Sequence, residues 1–183
     1  MGCAVVANTV ADQLVALLPR LRRFAHGLTG SVDEGDDVVQ AACERALSRL
    51  DQWQPGTRLD SWMFRIIQTV WIDRVRRRRE TALPPEAWEQ LPGPDGEHDM
   101  QVRNELATVR RLIGDLPDDL RAVLLLVTID GLSYREAALA LDVPMGTVMS
   151  RLARARLTLG RRLNNDTPNS AGSTGGDHGD PVG

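Results

Sequence analysis

Residues 131–156 read GLSYREAALALDVPMGTVMSRLARAR, and their spacing predicts a helix-turn-helix. Ala137, Ala138 and Leu141 fall at i, i+1 and i+4, which makes one small apolar face. Asp142-Val143-Pro144 interrupts the pattern, because proline cannot continue a helix and pushes Val143 out of the α region. A second helix opens near Met145, and in it Val148, Leu152, Ala155 and Leu159 share a buried stripe. Its opposite face carries Thr147, Met149, Ser150, Arg151, Arg154 and Arg156. Small residues let two short helices cross closely. A helix with one apolar stripe and an arginine-rich outer face fits a DNA major groove. Such a face can equally be a solvated one, so the rest of the chain must decide the class of protein.

The chain has 183 residues, 42% of them hydrophobic, with a formal net charge of −3. All 22 basic residues are arginine. Charge is segmented. Residues 1–80 hold 12 arginines against 10 acids, residues 81–104 one against 5, residues 105–163 9 against 7, and residues 164–183 none against 3. Local basic patches, not net charge, would have to steer nucleic acid. Cys3 and Cys43 stand alone, without a CxxC pair, and His26, His98 and His178 lack metal-ligand spacing; neither a disulfide framework nor a metal site is expected. No cofactor is expected either. No basic region precedes the apolar start of the chain, as a signal peptide requires. No apolar run approaches the roughly 20 residues of a membrane span. The expectation is a cytoplasmic protein without membrane insertion.

The pattern is helical throughout, so the expected fold class is all-α. The chain divides into two small helical domains, residues 9–80 and 101–163. An acidic, Pro/Gly-rich linker at 81–100 joins them, and a disordered tail follows at 164–183. In the first domain Leu14, Leu17, Leu18, Leu21, Phe24, Ala25 and Leu28 trace one stripe. Ser31 or Asp33 can cap a second helix with apolar positions Val38, Val39, Ala42, Ala46, Leu47 and Leu50. Leu59, Trp62, Met63, Ile66, Ile67, Val70, Trp71 and Val75 step by three and four in a third, which ends in Arg74-Val75-Arg76-Arg77-Arg78-Arg79. Within the linker, Trp88 and Leu91 could form one short docked turn. Periodicity returns near Val102 and runs through Val109, Leu112 and Ile113. Leu116-Pro117-Asp118-Asp119 starts a further helix, with acids in its first turn. Its residues Ala122, Val123, Leu125, Leu126 and Ile129 should pack on the helix-turn-helix.

Two further segments are diagnostic beside it: Asp36-Asp37-Val38-Val39-Gln40, and Leu59-Asp60-Ser61-Trp62-Met63-Phe64-Arg65-Ile66-Ile67 continued by Trp71 to Arg79. With Leu116-Pro117 and Gly146 to Leu152, they resemble bacterial sigma factors of the extracytoplasmic-function (ECF) type. The resemblance runs from about Asp12 to Leu163, in the family's order. It implies a protein that binds core RNA polymerase and brings it to promoters. The first domain would melt and hold the −10 element as a single strand, and the second would read the duplex −35 element. It also implies an anti-sigma protein as a partner, and no catalysis by this chain.

Carried onto this sequence, the resemblance places Asp36, Asp37, Val38 and Gln40 on a helix that docks the polymerase. Asp37 and Gln40 lie three apart, so both can face one partner helix; the acids would also stabilise a helix start. The −10 contacts would fall on Arg65, Thr69, Trp71, Arg74, Arg76, Arg77, Arg78 and Arg79. Clustered arginines suit consecutive phosphates, although cations also suit a helix C-terminus. Thr69 stands where the family frequently has asparagine, and a hydroxyl lacks the amide's paired donor and acceptor. Trp71 could stack on a base, yet its place in the apolar stripe favours core packing.

The −35 contacts would fall on Tyr134, Arg135, Thr147, Met149, Ser150, Arg151 and Arg154. Of these, Tyr134, Arg135, Thr147 and Arg151 suit phosphates, and Arg154 suits a base edge such as guanine. Met149 replaces a frequent basic residue and offers only apolar contact, for instance to a thymine methyl. Asp142 takes a turn position where relatives often carry glycine, and aspartate tolerates the left-handed conformation better than most residues. A second class, an autonomous regulator that binds DNA as a dimer, would need a sensory or dimerising module, and none is legible. No nucleophile–base set, metal cluster or Gly-rich phosphate loop points to an enzyme.

Overall fold

The computed structural model describes residues 2–54, 56–80 and 97–166, and among them every regular element is a helix. Of the expected linker at 81–100, residues 81–96 with Trp88 and Leu91 lie outside the described residues and 97–100 are helical; of the expected tail at 164–183, residues 164–166 are helical and the rest lie outside the described residues.

Helix α1 (Gly2–Thr29) is longer than its apolar stripe suggests and carries Pro19 inside it. Pro19 is exposed, and so is Val15 one turn earlier. The carbonyl left without a donor by the proline therefore faces water. Leu14, Leu21, Phe24, Ala25 and Leu28 are buried as the periodicity requires. Gly30, at φ 78°, ends the helix and donates its N–H to the His26 carbonyl at 2.8 Å, the left-handed stop that glycine adopts without penalty.

Ser31 then caps α2 (Val32–Leu47), its hydroxyl accepting from the Glu34 amide. Val38, Val39, Ala42 and Ala46 face the core, but Leu47 is half exposed. Ala46 fills the last core position, which turns its neighbour outward. The α1–α2 crossing depends on Gly35, where an added Cβ would stand 2.9 Å from the His26 backbone nitrogen. Backbone cannot yield as a side-chain tip can. Gly35→Ala is expected to cost about 1–2 kcal/mol in urea unfolding through overpacking. A loss below a few tenths would mean that the crossing relaxes.

After a 3₁₀ turn at Leu50–Gln52, α3 (Leu59–Glu80) brings Leu59, Met63, Phe64, Ile66, Ile67, Val70 and Trp71 inward. Phe64 meets Phe24 edge to face, with centroids 5.1 Å apart, the geometry that ring quadrupoles favour.

Helix α4 (Glu97–Gly114) starts about a turn before the expected Val102. Helix α5 (Asp118–Leu124) comes next, with Pro117 as its cap. The chain then widens into a π turn at Leu125–Ile129, which the periodicity did not foreshadow. Its i→i+5 bond, Asp130 N–H to Leu125 C=O at 3.1 Å, adds a residue to the turn and shifts the helical phase of the residues at its end. Ile129, expected to pack inward, is therefore 49% exposed. Asp130 turns in instead, with its side chain fully covered. Ala122, Val123, Leu125 and Leu126 are buried as expected. Helices α6 (Tyr134–Leu141) and α7 (Met145–Asp166) complete the helix-turn-helix.

The helices before and after the linker share one hydrophobic cluster. Helix α6 lies along α3, and the π turn lies against α1. At Gly27 a Cβ would come within 2.8 Å of Leu125 Cδ2, so the two halves meet there without a gap.

Candidate nucleic-acid interface

The helix-turn-helix is held at both of its corners. Ser133 and Glu136 form a reciprocal capping box: the Ser133 hydroxyl accepts from the Glu136 amide, and Glu136 Oε2 accepts from the Ser133 amide at 2.8 Å. Asp142 sits in the left-handed region at φ 54°, ψ 46°, and the next amide, of Val143, donates to the Ala138 carbonyl. The turn therefore forms without glycine.

Val148, Leu152 and Ala155 anchor α7 from beneath, with Leu159 partly buried beside them. Met149, Ser150 and Arg154 project outward, and Thr147 is half-buried. The Ser150 hydroxyl donates to the Thr147 carbonyl at 3.1 Å. Arg151 is drawn back to Asp119 on α5, Nε to Oδ2 at 3.1 Å, which fixes it at the rim of the face. Tyr134 and Arg135 are exposed at the start of α6. The outer face thus presents a methionine, a hydroxyl and an arginine, with Thr147, Arg151, Tyr134 and Arg135 around them.

In the first half, Asp37 and Gln40 point out of α2 one turn apart, and Gln40 Nε2 donates to Glu44 at 3.1 Å. Asp36 and Val38 face elsewhere. Asp36 turns to α1, where His26 Nε2 lies 2.9 Å and Arg22 Nε 3.4 Å from its carboxylate. Val38 is wholly buried in the core, so it shapes this surface only from below.

The arginine run closing α3 is partly tethered. Arg74 donates to the Asp37 carbonyl at 3.3 Å, Arg77 to the Asp73 carbonyl at 3.2 Å, and Arg78 pairs with Glu34. Arg76 pairs with Glu80 at 3.1 Å, and Arg79 is exposed. The run and the Asp37 surface are therefore one connected region. Arg45 braces it from α2 through Asp73 at 3.4 Å. Thr69 is exposed, its hydroxyl donating to the Arg65 carbonyl at 2.8 Å. Trp71 is 6% exposed and its Nε1 donates to Asp118 at 3.3 Å. Its ring is a core group here, closed to a base.

Arg65 does something its sequence position did not suggest. Its Nη2 donates to the Leu139 carbonyl at 3.0 Å and to Asp142 Oδ1 at 3.1 Å, across the boundary between the halves. Arg20, Arg23, Arg58, Arg121 and Asp130 also bridge the halves, and nothing in their sequence context separates them from solvated charges.

Arg121 is 5% exposed and its guanidinium donates to the carbonyls of Leu28, Ile113, Gly114 and Leu116. Burial pushes its pKa down, opposed by Asp118 and Asp115. Burial alone would raise the Asp60 carboxyl. Hydrogen bonds from Arg58, the Ser61 amide and Arg20 outweigh it and hold Asp60 below the usual carboxylate range. Cys43 is half-buried, and burial raises its thiol pKa. No group of side chains suited to a metal ion occurs among the described residues, nor any helix long and apolar enough to cross a membrane.

Comparison with known proteins places these surfaces in a family. Residues 14–68 match the model of the sigma2 domain of PhyR, and residues 106–159 match that of sigma-70 region 4. The chain is 32% identical over 166 residues to the ECF RNA polymerase sigma factor EcfG of Rhodopseudomonas palustris, covering 86% of this chain and 87% of that one. It is 34% identical over 148 residues to the ECF RNA polymerase sigma factor SigE of Mycolicibacterium smegmatis, covering 76% of this chain and 56% of that longer protein. Among solved structures, the sigma factor RpoE of Bartonella quintana, in complex with the anti-sigma factor NepR, superposes with a TM-score of 0.72 at 29% identity. That match covers 87% of this chain and 99% of that one. The chain belongs to the ECF RNA polymerase sigma factors, regulatory proteins of promoter-specific transcription initiation.

Proposed function

We propose that this chain binds bacterial core RNA polymerase through the Asp37–Gln40 surface and reads a −35 element through Met149, Ser150 and Arg154. The observation that carries this is the pairing, in one chain, of an outward α2 carboxylate–amide edge with a helix-turn-helix whose first helix is capped at both ends and whose second has an exposed outer face. We assign polymerase and −10 contacts to residues 9–80 and −35 contacts to residues 101–163. Arg65, Thr69 and the Arg74–Arg79 run hold the −10 strand, and phosphodiester chemistry belongs to the polymerase alone. The protein acts in the cytoplasm, where its polymerase is. An anti-sigma protein holds it inactive, as NepR accompanies the Bartonella quintana relative.

The test is co-elution of the purified chain with core polymerase. Asp37→Arg reverses the charge at the centre of the proposed contact and is expected to weaken association at least tenfold, about 1.4 kcal/mol. Asp37 is exposed and its side chain's nearest cation, Arg74, lies 3.8 Å away, so circular dichroism should stay unchanged. Unaltered association would remove Asp37 from the interface.

A further inference from the structure

Helix α7 carries two rows of side chains outside its buried stripe. Met145 and Met149 lie one turn apart, and so do Ser150 and Arg154. At 3.6 residues per turn the first row stands roughly 140° around the axis from the second. The two methionines are 51% and 49% exposed, and neither belongs to the hydrophobic cluster. Met145 lines a hollow with Arg135 and Leu139, so the apolar row begins where α6 meets the turn. The other exposed apolar residues of α7, Leu157 and Leu163, lie in its later turns. The first turns of the second helix are the part of a helix-turn-helix that meets base edges. There an unmodified base pair shows the major groove one apolar group, the 5-methyl of thymine. The unbranched thioether of methionine adapts its shape to such a group. Four residues separate the methionines by about 6 Å along the helix axis, close to two base steps of about 3.4 Å each.

We infer that Met145 and Met149 together read thymine methyl groups, so that the −35 element of this protein holds two thymines about two base steps apart, beside the base that Arg154 binds. The inference rests on the proposed function, which takes the outer face of α7 as the −35 reader, and adds to it Met145 and a class of base. Ser150 and Arg154 answer polar base edges, whereas the methionine row senses whether a methyl group is present. Cytosine in the same place would offer an amino donor, and a thioether accepts a hydrogen bond only weakly. Covering one methyl group favours binding roughly fourfold, as for one buried methylene.

The test uses the full chain assembled with core polymerase. The probe is a synthetic promoter duplex carrying a −35 element mapped from a start site that depends on this chain. A second probe replaces every thymine of that element with uracil, which pairs as thymine does and lacks only the methyl group. In competition between the two, wild type is expected to prefer the thymine probe about fifteenfold, the product of two such methyl contacts. The double variant Met145→Ala, Met149→Ala is expected to bind the thymine probe more weakly and the uracil probe equally to it. Both side chains are exposed and alanine favours a helix, so folding and core co-elution should be unchanged. Leu157→Ala removes an exposed apolar side chain of the same helix beyond its first turns and should keep the wild-type preference. Equal binding of both probes by wild type, or a preference that survives in the double variant, would overturn the inference. So would a mapped −35 element without an A·T pair. Tightening on a probe with 5-methylcytosine for cytosine, without any loss on uracil, would move the recognised methyl from thymine to a modified cytosine and overturn it as well. Failure of the sigma reading itself shows separately, as absence of co-elution between wild type and core polymerase, and the inference falls with it.

Discussion

Arg121→Met is expected to destabilise the protein by about 3–5 kcal/mol, the range for removing one member of a buried charged network. In a chain of this size that lowers the thermal midpoint by roughly 10 °C. The reason is the number of groups that depend on one side chain. The guanidinium satisfies the carbonyls of Leu28 at the end of α1 and of Ile113, Gly114 and Leu116 around the end of α4. The Leu28 and Gly114 carbonyls close their helices, where no further turn supplies a donor, whereas Ile113 also accepts from the Leu116 amide at 3.1 Å. Methionine fills the volume but donates nothing, so the Leu28, Gly114 and Leu116 carbonyls lose the guanidinium's hydrogen bonds while buried. Asp118, 3.4 Å from Arg121 Nη1, would keep its bond from Trp71 but lose this cation. Arg121→Lys keeps the charge yet has three donors on one point, too few and too clustered for this set. Its loss should fall between wild type and Arg121→Met. A change under about 1 kcal/mol in Arg121→Met, read by calorimetry, would mean that water replaces the guanidinium without penalty.

Arg154→Ala is expected to reduce initiation from a promoter with an intact −35 element about 30-fold. That corresponds to roughly 2 kcal/mol, the middle of the range for one good bidentate arginine–guanine contact. The side chain is exposed, one turn beyond Ser150 on the outer face of α7. It makes no ion pair with another described residue, so truncating it leaves folding and core binding untouched. The measurement is run-off transcription beside core co-elution. The deficit should vanish when the −35 element is scrambled, because both proteins then lose the contact. A deficit that persists on the scrambled promoter would move Arg154 from base reading to general phosphate binding. A parallel loss of core binding would put it on the polymerase side.

Much of the fold was legible because its signals are local. The helix-turn-helix is encoded by Pro144, the Ala137–Leu141 face and the Val148–Leu152–Ala155 stripe. Ser31 and Gly30 mark the α1–α2 junction by their own conformational chemistry. Asp142 forms the turn in the place glycine often takes, as its tolerance of the left-handed region suggests. The departures share another cause. Ile129 and Asp130 exchange places because a π turn alters the period on which such a reading depends. Val38 lies in a polar, chemistry-bearing segment, although its own position in the stripe makes it core. Trp71, a candidate for base stacking, takes the core role its spacing favours, with Asp118 satisfying its N–H.

The candidate site was legible only where a residue's role lies in its own helix face. Met149, Ser150 and Arg154 project as the periodicity of α7 dictates. The Arg20–Asp130, Arg58–Glu136 and Arg65–Asp142 pairs join residues 110, 78 and 77 positions apart, across the two halves. No local pattern encodes such pairings, and an arginine that rivets two domains looks in sequence like one that is solvated.

The central claim is that this chain gives core polymerase a promoter. The most direct measurement is run-off transcription on fragmented genomic DNA, using core polymerase with and without the purified chain, with mapping of transcript 5′ ends. The account predicts new, discrete start sites that share upstream elements at −10 and −35 and that depend on the chain. Core polymerase that produces the same transcripts with and without it, under conditions where the chain is folded and binds duplex DNA, would contradict the account and leave an autonomous DNA-binding protein.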